Sequence, residues 1–224
     1  MPSETRLLGV GIYTVREAAR LTKMSASRIR RWLRGYTYKA GGSLRRQAPV
    51  WRSRMPDSDE GLVLDFQDLC EIRIVDAFVR AGVSLQHVRK VASKARAELS
   101  SPHPFLTREF KVSGRKIFRE SLGQLCEFSS DQAHFRGFIE DYVKDIDFAQ
   151  DEVLRWWPLG RARAVVIDPE YCFGKPVVVK FGVPTQVLAQ AVRAEGNVGL
   201  VAGIYRVPER VVRDAVEYEQ SLAA

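Results

Sequence analysis

Long apolar runs are missing from this 224-residue chain. No stretch approaches the roughly 18 consecutive apolar residues of a membrane helix, and the opening Met1-Pro2-Ser3-Glu4-Thr5 lacks the charged and apolar regions of a secretory leader. The expected location is the cytoplasm, with no membrane partner. Cysteine is scarce too. Cys70, Cys126 and Cys172 lie far apart and form no CxxC pair, and an odd number argues against a secreted disulfide framework; buried thiols are expected. His87, His103 and His134 show no spacing to one another or to cysteine that would assemble a zinc centre, so no metal and no cofactor are expected. No glycine-rich phosphate loop and no nucleophile paired with a base is visible, so no catalytic residue is assigned and the chain does not read as an enzyme.

Acidic residues are almost absent from one end. Residues 1–54 hold 13 Lys/Arg against 2 Asp/Glu, a local charge of +11, whereas the remainder has 22 against 25, or −3. All of the overall +8 therefore sits at the N-terminal end. A polyanion is the simplest partner for such a segment, because neutralising phosphates releases counterions and drives association.

The pattern inside that segment is ordered. Thr14 and Glu17 form a capping box, starting a helix near Val15. After a stop near Thr22, Ser25 or Ser27 can cap a second helix. In it Ile29, Trp32 and Leu33 share an apolar face, while Ser27, Arg31 and Arg34 project oppositely, flanked by Arg28 and Arg30. Such a helix fits a major groove, where the arginine fork bonds guanine edges or phosphate oxygens; the competing reading is a merely solvated face. Tyr36 and Tyr38, the Gly41-Gly42 turn, Arg45, Arg46 and Arg52 then read as a basic β-hairpin wing, the alternative being an unstructured basic loop.

Further along, helices are expected from about Asp65 to Arg80, with Leu69, Ile72, Val75 and Val79 inward, and after Ser84. Ser101-Pro102-His103-Pro104 breaks the chain. Phe105–Phe110 and Lys116–Arg119 around Ser113-Gly114 read as a hairpin, and residues 132–157 as one amphipathic helix ending at Trp156-Trp157-Pro158. Two short strands, Val165–Pro169 and Gly174–Val179, then precede helices at about Thr185–Ala194, Val198–Ile204 and Pro208–Tyr218. The expected class is mainly α with small β-hairpins (α+β), an N-terminal winged helix-turn-helix followed by a small strand pair and a three-helix unit. The expected divisions are 1–99, 100–159 and 160–224.

Tyr13-Thr14-Val15 to Arg31-Trp32-Leu33, the Leu64–Arg80 helix and Ala81-Gly82-Val83-Ser84-Leu85 resemble the winged helix-turn-helix of MerR-type regulators. The long dimerising helix of those proteins is interrupted here after Ser101. Ile167-Asp168-Pro169, Gly174, Pro176, Val179 and Pro184, then Leu200-Val201-Ala202 and Val211–Tyr218, resemble the small antitoxin-associated domain of VapB-like antitoxins. That family usually has a double glycine where this chain has Phe173-Gly174, and Gly-Thr-Arg in place of Lys180-Phe181-Gly182.

Together these resemblances imply a type II antitoxin that represses its own operon by binding operator DNA and neutralises a PIN-domain ribonuclease toxin of VapC type. A homodimer or a hetero-oligomer with the toxin is expected. A PIN nuclease cuts RNA with metal ions held by carboxylates, so an inhibitor can cover that acidic cleft with basic and apolar side chains. Arg155, Trp156, Trp157, Arg161 and Arg163 form the candidate patch; equally, the Trp pair can simply be core. The alternative function is a stand-alone MerR-like transcription regulator sensing a small molecule or redox state through Cys70 or Cys126.

Overall fold

A computed structural model describes residues 9–59, 61–122, 132–149 and 152–223. The chain divides into two compact units: an N-terminal unit running from Tyr13 to Lys144, and a C-terminal unit built of Asp145–Phe148 and the chain from Val153 onward. The architecture is mainly helical with small antiparallel sheets, as expected from the sequence.

In the N-terminal unit a short strand β1 (Ile12–Thr14) leads into α1 (Val15–Thr22). The capping box is present: Glu17 N–H donates to Thr14 Oγ1 at 3.2 Å, and Thr14 N–H donates to Glu17 Oε2 at 2.8 Å. Lys23 in the left-handed region turns the chain into α2 (Ala26–Arg34), whose cap is Ser25 rather than Ser27. Trp32, Ile29 and Leu33 are buried under α1 and α2, so the apolar stripe of α2 fixes which of its faces is free.

The wing is a hairpin of β2 (Tyr36–Ala40) and β3 (Ser43–Gln47), paired from Tyr36↔Gln47 to Ala40↔Ser43. Gly41 and Gly42, with φ of 57° and 78°, form the two-residue turn that matches strand twist. Strand β4 (Val63–Asp65) pairs with β1 and starts α3 (Phe66–Arg80), which a second capping box between Asp65 and Asp68 opens. Helix α4 (Leu85–Leu99) follows, capped by Ser84.

Two expectations fail in the middle of the chain. The Ser113-Gly114 hairpin is instead part of a helix, α5 (Arg108–Leu122). Thr107 Oγ1 accepts from Phe110 N–H, and Phe110 and Ile117, seven residues apart, are fully buried. Burial of that helical stripe against α4, in an aromatic cluster with Phe78 and Phe105 (centroids 4.9–6.4 Å apart), overrides the local turn preference of Ser-Gly. The break after α4 is real, and a short 3₁₀ turn (Pro104–Leu106) lies between α4 and α5.

The helix expected over 132–157 is also shorter. It ends at Val143 as α6 (Gln132–Val143), and the chain then forms β5 (Ile146–Ala149) and β6 (Glu152–Trp156). No proline or glycine marks the change; cross-strand pairing does. These strands join β7 (Val165–Ile167) and β8 (Pro176–Val178) in a four-stranded sheet of order β5-β6-β7-β8, with β7 antiparallel to both neighbours. Helices α7 (Thr185–Glu195), α8 (Val198–Tyr205) and α9 (Glu209–Ala223) pack on it around Val178, Leu188, Val201, Val212 and Ala215.

Cys70 is buried and desolvation pushes its thiol up to about 12. Cys172, expected to be buried, is exposed in a left-handed turn; Cys126 lies outside the described residues.

Candidate nucleic-acid interface

The arginines of α2 have unequal surroundings. Arg28 is half-buried, paired with Asp76 at 3.0 Å and 4.9 Å from the Trp32 ring, so it ties α2 to α3. Arg34 reaches Asp57 at 2.5 Å. Ser27, Arg30 and Arg31 are exposed. Arg31 lies over the Tyr36 ring at 4.2 Å, which holds its planar fork at the junction of α2 and wing.

The hairpin register completes the face. Tyr38 lies opposite Arg45 and Tyr36 opposite Gln47, so Tyr36, Tyr38 and Arg45 share one side; Arg46, opposite Thr37, is on the other. Tyr36 and Tyr38 rings are 5.9 Å apart. The wing therefore presents a tyrosine pair and an arginine beside Arg31. Arg45, Arg46 and Arg52 are exposed.

One contributor was missed from sequence. Arg89, on α4, lies 6.0 Å from the Tyr36 ring on its own approach, and burial lowers its pKa from the ordinary guanidinium value. Its Nε and one terminal nitrogen are buried without a hydrogen-bond partner. A basic residue just over one turn into α4, which begins at Leu85, gives no local sign of reaching the wing; only the packing of α4 brings it there.

The wing's base is sterically specified. Gly35 has φ of 74°, and a Cβ on it would meet the Gln47 carbonyl oxygen at 2.2 Å. Only glycine lets the chain leave α2 and pass so close to the end of β3.

In the C-terminal unit, the basic residues of the expected partner patch are engaged within the chain. Arg155 Nε is 2.6 Å from buried Asp168, Arg161 pairs with Asp147, and Arg163 pairs with Asp214 and Glu217. Trp157 Nε1 donates to Asp147 at 2.9 Å, and Trp156 is buried. Exposed apolar residues of this unit include Tyr171, Phe173 and Phe181 on its loops, Leu154 on β6, Val187 on α7, and Leu200 and Ile204 on α8. Cys172 Sγ lies 3.7 Å from the Gly182 carbonyl oxygen, so their two loops meet beside a pocket lined by Arg155, Asp168, Tyr171, Lys180 and Phe181.

A folded helix-turn-helix with a basic, aromatic wing defines a class of nucleic-acid-binding modules, and the comparisons agree. Residues 11–92 match a family described as "Putative DNA-binding HTH domain", a span that runs from β1 into α4. Over 225 residues the chain is 26% identical to "Putative antitoxin VapB45" of Mycobacterium tuberculosis, covering 93% of each. The crystal structure of Rv2018 from Mycobacterium tuberculosis has the same fold, with a TM-score of 0.71 at 24% identity over 93% of this chain and 99% of that one. The chain is thus similar to a named antitoxin along nearly its whole length, and its N-terminal helix-turn-helix matches a family described as DNA-binding. Among the described residues no helix is long and apolar enough to cross a membrane.

Proposed function

We propose that this chain is the antitoxin of a type II toxin–antitoxin pair that binds its own operator and neutralises a PIN-domain ribonuclease of VapC type. The observation that carries the DNA half is the continuous face of Ser27, Arg30 and Arg31 on α2 with Tyr36, Tyr38 and Arg45 on the wing. The helix would read base edges while Arg45, Arg46 and Arg52 hold phosphates. Dimerisation would match a palindromic operator with half-sites about 34–36 Å apart.

The toxin half rests on the likeness to a relative named as an antitoxin and on the loops at Phe173 and Phe181. Phe173 has φ of 58° and Lys180 has φ of 70°. Those positions carry glycine in the antitoxin-associated domain the sequence resembles, where such backbone is unstrained. An exposed phenylalanine kept in left-handed backbone is explained by a contact it makes outside the chain. Phe173, Phe181 and Tyr171 would bury apolar surface on the toxin, with Lys180 facing its acidic cleft. Arg155, Arg161 and Arg163 would hold the platform instead of reaching across.

The test is co-expression with the reading frame beside the gene, followed by purification and an operator shift assay. A stable complex with a PIN-fold protein, and a shifted operator fragment, are expected. Absence of a nuclease partner sinks the antitoxin reading while leaving DNA binding intact. The redox-regulator alternative loses its sensor at Cys70, whose burial suppresses the thiolate.

A further inference from the structure

Asp65, Asp68 and Glu71 stand three residues apart at the start of α3, on one helix face, and all three are buried. Arg54, largely exposed, reaches Asp65 only at 3.9 Å. A second basic partner is His103, from the segment between α4 and the 3₁₀ turn, whose side chain is 6% exposed. Its Nδ1 lies 2.6 Å from Glu71 Oε2. If Nδ1–H donates to Glu71, Nε2 is left as a lone pair, and Nε2 is buried with no hydrogen-bond partner, 4.0 Å from Asp68 Oδ1.

Ligand atoms of Asp65, Asp68 and His103 all lie within 4.8 Å of one another. We infer that these three residues form a divalent-cation site, with Glu71 as the carboxylate that orients His103. A histidine ligand whose other ring nitrogen is held by a carboxylate recurs in protein metal sites, because the carboxylate fixes the ring's tautomer and aim. One imidazole with two carboxylate oxygens suits zinc, whose tetrahedral ligands stand about 3.3 Å apart, so a closure on the order of 1 Å would supply three of its four ligands and leave the fourth to water.

The outer contacts give the site a role. Asp68 accepts from Trp51 Nε1 at 2.8 Å and from Ser53 Oγ at 2.5 Å, so a bound cation would fasten the segment carrying Arg52 and Arg54 to α3 and to the 103 region. Burial is the largest influence on Asp68 and raises it to about 6. For His103, burial opposes the charge, but the hydrogen bond and charge of Glu71 outweigh it and its pKa is raised.

The competing occupant is a proton, which would make His103 an imidazolium between Glu71 and Asp68. The full chain, stripped with chelator, equilibrated with ZnCl₂ and dialysed, is expected to retain one zinc per chain and to gain about 5 °C in Tm. His103→Gln loses both responses, and His87→Asn keeps both. Should His103→Gln fail to fold, the ¹⁵N resonance of His103 in the wild-type chain decides: one equivalent of zinc must shift it. Wild-type protein that retains no zinc, a His103 resonance that responds to pH but not to zinc, or full zinc retention by folded His103→Gln each overturns the site.

Discussion

The C-terminal arginine patch differs from the free face of α2 and the wing, although Arg28 and Arg34 of α2 also pair with carboxylates. In the C-terminal unit Arg155, Arg161 and Arg163 each grip a carboxylate, and two of those carboxylates, Asp168 and Asp214, are buried. On α2 and the wing, Arg31 stacks on an aromatic ring, and Arg30, Arg45 and Arg46 stand exposed. A guanidinium already neutralised by a buried carboxylate has little to offer a phosphate, whereas one stacked on tyrosine keeps its donors free. Counting arginines alone would give both patches the same meaning.

The largest expected effect breaks the comparison directly. Replacing Arg31 and Arg45 together by alanine should weaken operator binding at least about a hundredfold and lower the slope of log K against log salt by about 2. Arg155→Ala in the same gel-shift assay should leave operator affinity unchanged; equal losses from both would end the distinction between the two groups. Next is the wing's hinge. Gly35→Ala should destabilise the N-terminal unit by about 3 kcal/mol in urea melts, because the Cβ clashes with backbone that cannot move away cheaply.

Arg155→Ala should lower stability by about 2 kcal/mol in the same melts, since Asp168 is left buried without its charged partner. A smaller change with two signs is expected at Phe173. Phe173→Gly should raise stability by about 0.5–1 kcal/mol by relieving left-handed backbone, while reducing toxin capture in a pull-down. If capture is untouched, the exposed loop is not the docking surface. The smallest effect is chemical: in a Cys126→Ser background, native protein should react with a thiol reagent at Cys172 within minutes and at Cys70 only after unfolding.

Much of the helix-turn-helix was legible because its signals are local. Thr14 and Glu17 are three residues apart, Ser25 precedes its helix, and Ile29, Trp32 and Leu33 recur at helical spacing. The wing's Gly41-Gly42 between β-favouring residues was equally plain. The three C-terminal helices, expected at about Thr185–Ala194, Val198–Ile204 and Pro208–Tyr218, lie at Thr185–Glu195, Val198–Tyr205 and Glu209–Ala223. The misread segments are those where local and long-range preferences compete. Ser113-Gly114 favours a turn, yet the buried Phe110–Ile117 stripe makes it helix; Ile146–Ala149 and Glu152–Trp156 continue a helical pattern, yet form β5 and β6, and β6 pairs with β7.

The sequence by itself determined where charge accumulates and which helix carries it, because composition and a 3.6-residue period are properties of the chain alone. It could not say which arginines are free. That was decided by partners 13 to 51 residues away, such as Asp168 for Arg155 and Asp214 for Arg163, and by the ring of Tyr36 beneath Arg31. The same holds for His103, which meets Glu71 across 32 residues. Ion pairing and burial depend on distance in space, so only the folded chain could sort the arginines that hold the structure from those that face a partner.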